Sequence, residues 1–327
     1  MASSRTTVAP PSDRVRLIVA SSVMLTFISF WRAAAIVLND LGSSAFYAGG
    51  IAEQAIGASA PWFILGIMAF SFAVRSVYIE SCSMFTRGGV YRVVKEALGG
   101  TFAKVSVSAL MFDYILTGPI SGVSAGQYIT GAVNELLSVA ASSHWLPPAL
   151  MDAQGHPFQL GMNSTSAMIA ALVTIYYWWE NIKGIEESSD KALRVMQITT
   201  VMVVILFIWG GYSVYMRGVQ LPPLPTPSNL TFSNDALGFL RGSGLPIFGL
   251  FGILMAFGHS ILAMSGEESL AQVHREIEHP KLKNLKRAAI VIAIFSLVFT
   301  GGGTLLASML IPTFQRTHIY QDNLIAG

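Results

Sequence analysis

The chain has 327 residues, 53% of them apolar and only 12% charged, with a mean hydropathy of +0.57 and a net charge of +2. That charged share is about half of what a soluble globular chain carries, so a water-facing fold is excluded and the apolar surface must face lipid. The small net charge, with no basic patch interleaved with aromatics, excludes a nucleic-acid partner, and the lone Cys82 excludes a disulfide framework and a thiolate zinc site.

A membrane span needs about 20 predominantly apolar residues, and seven stretches qualify. The first runs from about Arg16 to Gln54, too long for one straight span, with a polar interruption at Asn39-Asp40. Although Arg14 and Arg16 precede it and Ala33-Ala34-Ala35 lies within it, the spans that follow favour a retained segment over a cleaved signal peptide. The second is about Pro61 to Phe85, followed by Gly88-Gly89 and a short surface helix over Val90 to Leu98. The third runs from about Phe102 to Leu137, the fourth from Ser164 to Trp179 and the fifth from Ala192 to Met216. The sixth starts near Leu245 and the seventh covers Ala288 to Ile311. Between spans, Pro147-Pro148 and the run Pro222, Pro223, Pro225 and Pro227 mark loops where helix cannot continue.

Loop charges orient this all-α, polytopic fold. Fifteen basic residues fall on one side: Arg5, Arg14, Arg16, Arg87, Arg92, Lys95, Lys104, Lys183, Lys191, Arg194, Arg275, Lys281, Lys283, Lys286 and Arg287. Three, namely Arg217, Arg241 and Arg316, fall on the other. By the positive-inside rule the N-terminus is cytoplasmic, as expected of a multi-pass protein of the plasma membrane. The chain divides into a tail over 1–15, spans one to five over 16–217, an external loop over 218–244, spans six and seven over 245–312, and an external segment over 313–327. Its stop after an external turn leads us to expect a fragment of a longer product.

Two places suggest helices broken at membrane depth, which lipid tolerates only around a cavity or an ion path. Asn39-Asp40-Leu41-Gly42-Ser43-Ser44 interrupts the first segment, and Ser265-Gly266-Glu267-Glu268-Ser269 lies late in the sixth. Their polar side chains compete for backbone bonds and their glycines disfavour helix. Unwinding would free amides suited to an anionic group and carbonyls suited to a cation, the pattern of an inverted-repeat carrier with a midplane site. The competing reading is a plain loop at the first and the end of an unbroken span at the second.

Ionisable groups in the bilayer are functional suspects. Asp113 sits inside the third span with Thr117 one turn on, hence on the same face. Asp40 serves a substrate or ion, or else caps the following half-helix; Glu268 and, less so, Glu267 sit in the second break. The proton-coupling candidates are Asp113, Asp40, Glu268 and His259, the last weighed against a packed, hydrogen-bonded histidine. Arg32 and Arg75 read as snorkelling or carboxylate-paired, Pro119 with Gly118 and Gly122 as helix packing, and His274, Glu278 and His279 as a solvated loop rather than a metal cluster. No nucleophile elbow, phosphate loop, metalloprotease pair or filter-like repeat appears, so an enzyme or a channel stands behind a transporter, and no cofactor or metal is expected.

Four landmarks carry a family resemblance: Arg87-Gly88-Gly89-Val90-Tyr91 with Lys95-Glu96-Ala97-Leu98-Gly99, the loop Asn181-Ile182-Lys183-Gly184-Ile185-Glu186-Glu187-Ser188, the break Ser265 to Ser269, and Glu276 with His279-Pro280. In order and at this spacing they resemble the amino acid–polyamine–organocation superfamily of permeases. The resemblance implies a five-plus-five inverted repeat with alternating access about broken spans one and six. In the amino-acid branch, amides of a glycine-rich first break hold the substrate carboxylate and the sixth break receives the ammonium; here Gly42-Ser43-Ser44 departs by one small residue. The potassium–proton symporter branch is similar at Asp40 before Ser43-Ser44, at Asp113 through Thr117 and at Ser265-Gly266-Glu267-Glu268, while His259 and Leu41-Gly42 depart from it. By that likeness Asp40, Asp113, Thr117, Ser265 and Glu268 ligate a cation or carry the proton. The expected binding set is thus Asn39, Asp40, Gly42, Ser43, Ser44, Asp113, Thr117, Ser265, Gly266 and Glu268. The leading expectation is a proton-coupled amino acid permease, the alternative a potassium–proton symporter; substrate and oligomeric state stay open.

Overall fold

The computed structural model describes residues 27–85, 89–152, 155–182, 185–243, 249–321 and 323–327, with no statement made for the side chains of 185–187. The stretch 1–26, with Arg5, Arg14, Arg16 and the predicted start of the first span, lies outside the described residues, as do Arg87, Gly88, Lys183, Gly184 and Leu245.

The first segment is broken where its polar residues fall. Helix α1 (Phe30–Leu41) starts at an N-cap, Ser29, whose hydroxyl accepts from the Arg32 amide. It gives way to a 3₁₀ turn over Gly42–Phe46 and then to α2 (Ala48–Ile56), which stops at Gly57 with φ +86°. The hydroxyls of Ser43 and Ser44 donate to the Asp40 and Leu41 carbonyls at 2.7 Å each, diverting acceptors that a continuing helix would use.

Helix α3 (Ala60–Met84) opens with Pro61 in its first turn, and the surface helix α4 (Val90–Leu98) lies between Gly89 and Gly99 with no buried residue. Helix α5 (Gly100–Ser142) is 43 residues long and carries Pro119 inside it, so at about 1.5 Å per residue it far exceeds a bilayer core. Helix α6 (Met162–Ile182) packs on it through small residues: a Cβ on Gly126 would lie 2.5 Å from the Ser166 carbonyl, and one on Gly122 3.3 Å from the Ala170 methyl. Helix α7 (Ile185–Arg217) begins about two turns before the predicted fifth span and includes Asp190 and Lys191, which pair with Arg32 of α1 (2.6 Å) and with Glu180 of α6. The snorkelling-or-paired expectation for Arg32 thus resolves as a pair.

After the four-residue α8 (Asn234–Leu237), the sixth segment is broken like the first. Helix α9 (Gly249–Ser260) tightens into a 3₁₀ turn, Ile261–Met264, and the chain turns through Ser265 to Glu268 before α10 (Ser269–Val273). The seventh consists of α11 (Lys281–Ser296), a π-helical turn Leu297–Gly302 and α12 (Gly303–Leu310), followed by α13 (Thr313–His318).

Four of these helical stretches, Ala60–Met84, Ser188–Arg217, Gly249–Val273 and Lys281–Leu310, are long and apolar enough to cross a membrane on length and composition alone. The other predicted spans fall short for visible reasons. The first is cut into two short helices, α5 dilutes its apolar residues with Ser, Thr and Gly, and α6 does so with Asn, Ser and Thr. No β-strand occurs among the described residues, and the molecule is a polytopic helical membrane protein.

The broken segments sit at the centre. Ala33, Ala34, Val37 and Leu38 of α1 pack with Leu270, Leu285, Ala288 and Ile292 in one buried cluster; Ala48, Ala52 and Ile56 of α2 pack with Ile64, Ile67, Met68 and Ala256 in a second. The chain before α1 is tied to the chain after α10, because Ile28 donates to the Glu276 carbonyl (2.8 Å) and accepts from Glu278 (3.0 Å).

Candidate functional site

The two breaks meet. The Ser269 hydroxyl, at the start of α10, donates to Asp40 Oδ2 at 2.6 Å, and Ser44 Oγ lies 2.8 Å from the Ala263 carbonyl of the second 3₁₀ turn. Gly266 makes this contact possible. Its backbone turns with φ +97°, and a Cβ there would stand 2.8 Å from both Asp40 Cγ and the Leu41 nitrogen. Only a residue without a side chain lets the two segments approach so closely.

Helix α5 presents a polar face to this junction. Thr117 Oγ1 lies 3.4 Å from Asp113 Oδ1, to which it donates, and 3.2 Å from the Ser265 hydroxyl. One turn further, Ser121 Oγ lies 3.0 Å from Ser43 Oγ. Asp40, Ser43, Asp113, Thr117, Ser265, Gly266 and Glu268 are therefore gathered around the breaks. Asp40 and Asp113 are near enough to Glu268 to repel its charge, and Glu268 is 8% exposed with Oε1 lacking a hydrogen-bond partner. Among the described residues, no Lys, Arg or His forms an ion pair with Asp40, Asp113 or Glu268. Carboxylates lined by hydroxyls and short of positive charge can hold a cation or a proton.

Other expected residues are placed differently. The Asn39 amide donates to the Ala35 (2.7 Å) and Ala192 (2.9 Å) carbonyls, so it fastens α1 to α7. Ser44 is fully buried as a stitch between the breaks, and Gly42 lines a cavity beside Phe295. His259 lies apart from the cluster: its Nε2 is 3.1 Å from the Ala236 carbonyl of α8, and its ring faces Phe232. No set of three His, Cys, Asp or Glu suited to a metal occurs among the described residues. In the loop after α10, burial first and Lys281 second hold the His274 imidazole below the ordinary histidine range.

Several participants are not evident from the sequence. Glu267 does not face the cluster; both its oxygens are held by Arg75 of α3 at 2.7 and 2.5 Å, and Arg75 also donates to Ser71 and Ser296 at 2.9 Å. This pair, with side chains 2% and 4% exposed, anchors the second break to α3 and α11. Tyr47, buried just past the first break, brings its phenol hydroxyl to the Ser43 and Ser121 side chains. Gln272 of α10 hydrogen-bonds Tyr114 of α5. The signal for Ser121 was present: Asp113, Thr117 and Ser121 recur every four residues on one helical face.

Two cavities approach the junction. One, of about 760 Å³, opens beside α4 and ends at Glu268 and Gln272, with Arg92 and Tyr91 at its wall. Another, of about 470 Å³, lies against Gly42 and Ser43 and is walled by Ser121, Met196, Phe46 and Phe295.

Among characterised proteins, the potassium transporter KimA of Bacillus subtilis (strain 168) is 24% identical over 286 residues, 84% of this chain. The match spans 40% of KimA's own length. The family model described as amino acid permease matches residues 28–317, which takes in both breaks, the α5 face and the Arg75–Glu267 anchor. Together with the broken-helix architecture, that match places this chain in the amino acid permease family.

Proposed function

We propose that the chain forms part of a secondary transporter that carries a monovalent cation, potassium, by alternating access around the junction of its two breaks. The observation that carries this reading is the cluster of Asp40, Asp113 and Glu268, edged by Ser269, Thr117 and Ser265 hydroxyls and without a basic partner among the described residues. A bare carboxylate would be repelled there, while a cation supplies the missing charge. The named activity of KimA supports the same choice. Potassium therefore moves ahead of the amino acid that the resemblance alone favoured.

A second reading, a proton-coupled amino acid permease, has its own support in the family description and in the cavity of about 470 Å³ against Gly42 and Ser43, roomy enough for a small zwitterion. In either case we infer that the proton couples through Glu268 or the aspartates, that the N-terminus is cytoplasmic in the plasma membrane, and that residues 16–217 form the first repeat and 245–312 the start of the second. The loop 218–244 and the segment 313–327 then face outward.

The deciding experiment expresses the protein in cells deficient in potassium uptake and measures growth at low potassium together with uptake of labelled amino acids. Rescue of growth without amino-acid uptake is expected. Amino-acid accumulation without rescue overturns the potassium reading in favour of the second.

A further inference from the structure

Helix α11 sorts its side chains by face. It buries Leu285, Ala288 and Ile292 against the rest of the molecule. The opposite face exposes Lys283, Lys286, Arg287, Ile290 and Ile294, and Leu297 extends it into the π-helical turn. At about 3.6 residues per turn these six positions fall within roughly 100° of arc, so they form one stripe. Its first turn is cationic and the next two or so, roughly, are apolar.

The cationic end stands at headgroup depth. Helix α11 opens the apolar stretch Lys281–Leu310, which is long enough to cross a membrane, so its first turns lie at one edge of that crossing. Beside them the chain entering α1 exposes Phe27 and Trp31, aromatics of the kind that settle at the membrane boundary. Lys281 Nζ lies 5.0 Å from the centre of the Phe27 ring, and the Arg287 guanidinium 5.7 Å from that of Phe30, which in turn leans on Trp31. Neighbouring cations have oxygen partners: Arg275 pairs with Glu276, and Lys281 donates to the Arg275 carbonyl at 2.6 Å. Among the described residues, no carboxylate forms an ion pair with Lys283, Lys286 or Arg287.

We propose that this stripe binds an anionic phospholipid, with its phosphate on Lys283, Lys286 and Arg287 and an acyl chain laid along Ile290, Ile294 and Leu297. The charge selects the headgroup, since three unpaired cations on one turn favour an anionic lipid over a zwitterionic one. The apolar continuation selects the class of ligand. A soluble anion or an acidic peptide would use the cations and leave Ile290 and Ile294 uncovered, whereas an amphiphile matches both halves of the stripe. The Arg287–Phe30 contact places the bound phosphate beside the start of α1, the inner half of the first broken segment. The lipid would thereby brace α11 against the element that leads into the junction.

Native mass spectrometry of the purified protein in detergent, titrated with dioleoylphosphatidylglycerol or dioleoylphosphatidylcholine, tests it. Wild type is expected to retain one phosphatidylglycerol per chain about tenfold more tightly than phosphatidylcholine. The triple variant Lys283→Gln, Lys286→Gln, Arg287→Gln is expected to lose that affinity about thirtyfold. Neutralising three other exposed basic residues, Arg92→Gln, Lys95→Gln and Lys104→Gln, should change it less than about threefold. Lys286→Gln alone, expected to weaken retention about fivefold, provides the readout should the first triple variant not fold. Equal losses in the two triple variants would show a diffuse attraction to all the basic loops and overturn the site, as would equal retention of the two lipids. Displacement of phosphatidylglycerol by an equal concentration of glycerol 3-phosphate overturns it in favour of a free phosphate, and displacement by polyglutamate in favour of an acidic protein partner. The site does not depend on which substrate is carried, so its failure leaves the transport reading standing.

Discussion

At Gly266 the geometry leaves no room for a methyl group, and the backbone is in the left-handed region that side chains disfavour. Gly266→Ala should therefore push the Asp40 segment away and cost about 1–3 kcal/mol at that turn. The expected result is a protein that inserts but melts earlier in detergent and transports at background level; wild-type uptake in this variant would show that the breaks need not touch. Asp113→Asn keeps the side-chain shape and removes the charge that Thr117 donates to. Its cation affinity should fall roughly 30-fold, the equivalent of about 2 kcal/mol for a charge-assisted contact, with insertion intact. Unaltered concentration dependence of uptake would remove Asp113 from the site. These residues were legible because an acid or a helix-breaking pair inside an apolar run has few structural uses. Ser121 could have been found from its four-residue spacing after Asp113 and Thr117, whereas Tyr47 was not singled out, since a lone hydroxyl in a membrane helix declares itself only when the facing element is known.

Among the helices, the informative contact is Arg75 with Glu267. Both groups are almost wholly buried, and the guanidinium joins α3 and α11 to the second break in one hydrogen-bonded set. Arg75→Met leaves a lone buried carboxylate and should destabilise by about 3–5 kcal/mol; adding Glu267→Leu should recover most of the loss. Thermal melting in detergent checks this, and a double variant no more stable than the single would mean that the pair does more than neutralise itself. The sequence placed an arginine and a carboxylate in different spans without saying which would meet, because 192 residues separate them. The breaks themselves were readable from Asn-Asp-Leu-Gly-Ser-Ser and Ser-Gly-Glu-Glu-Ser. The π-helical turn Leu297–Gly302 was not, since nothing in Leu-Val-Phe-Thr-Gly-Gly distinguishes it from ordinary helix. Nor was the last turn of α5 over 138–142, where Ser138 and Ser142 dilute the apolar run.

For the whole molecule, the charge asymmetry of the loops makes a directional claim. In the proposed orientation, a cysteine introduced at Ser142, at the end of α5, or at Thr226, in the loop before α8, both exposed, should react with an impermeant thiol reagent added to intact cells. One at Glu278 should react only after permeabilisation; the reverse pattern would invert the proposed orientation. The family was readable from four separated landmarks, whereas the burial of Arg316 against Glu53 was not, because an arginine beyond the last apolar run reads as solvated until the fold brings α2 beneath it. The cavity beside α4 that ends at Glu268 has an electrical consequence. In the orientation proposed above, solution entering that vestibule would carry the cytoplasmic potential inward, so the membrane voltage would fall mainly between Glu268 and the outer face. Each charge that crosses the whole field gains about 2.3 kcal/mol per 100 mV. If the chain carries potassium as proposed, ion capture from outside, rather than release to the cytoplasm, should be the voltage-dependent step, and hyperpolarisation should lower the potassium concentration that gives half-maximal uptake.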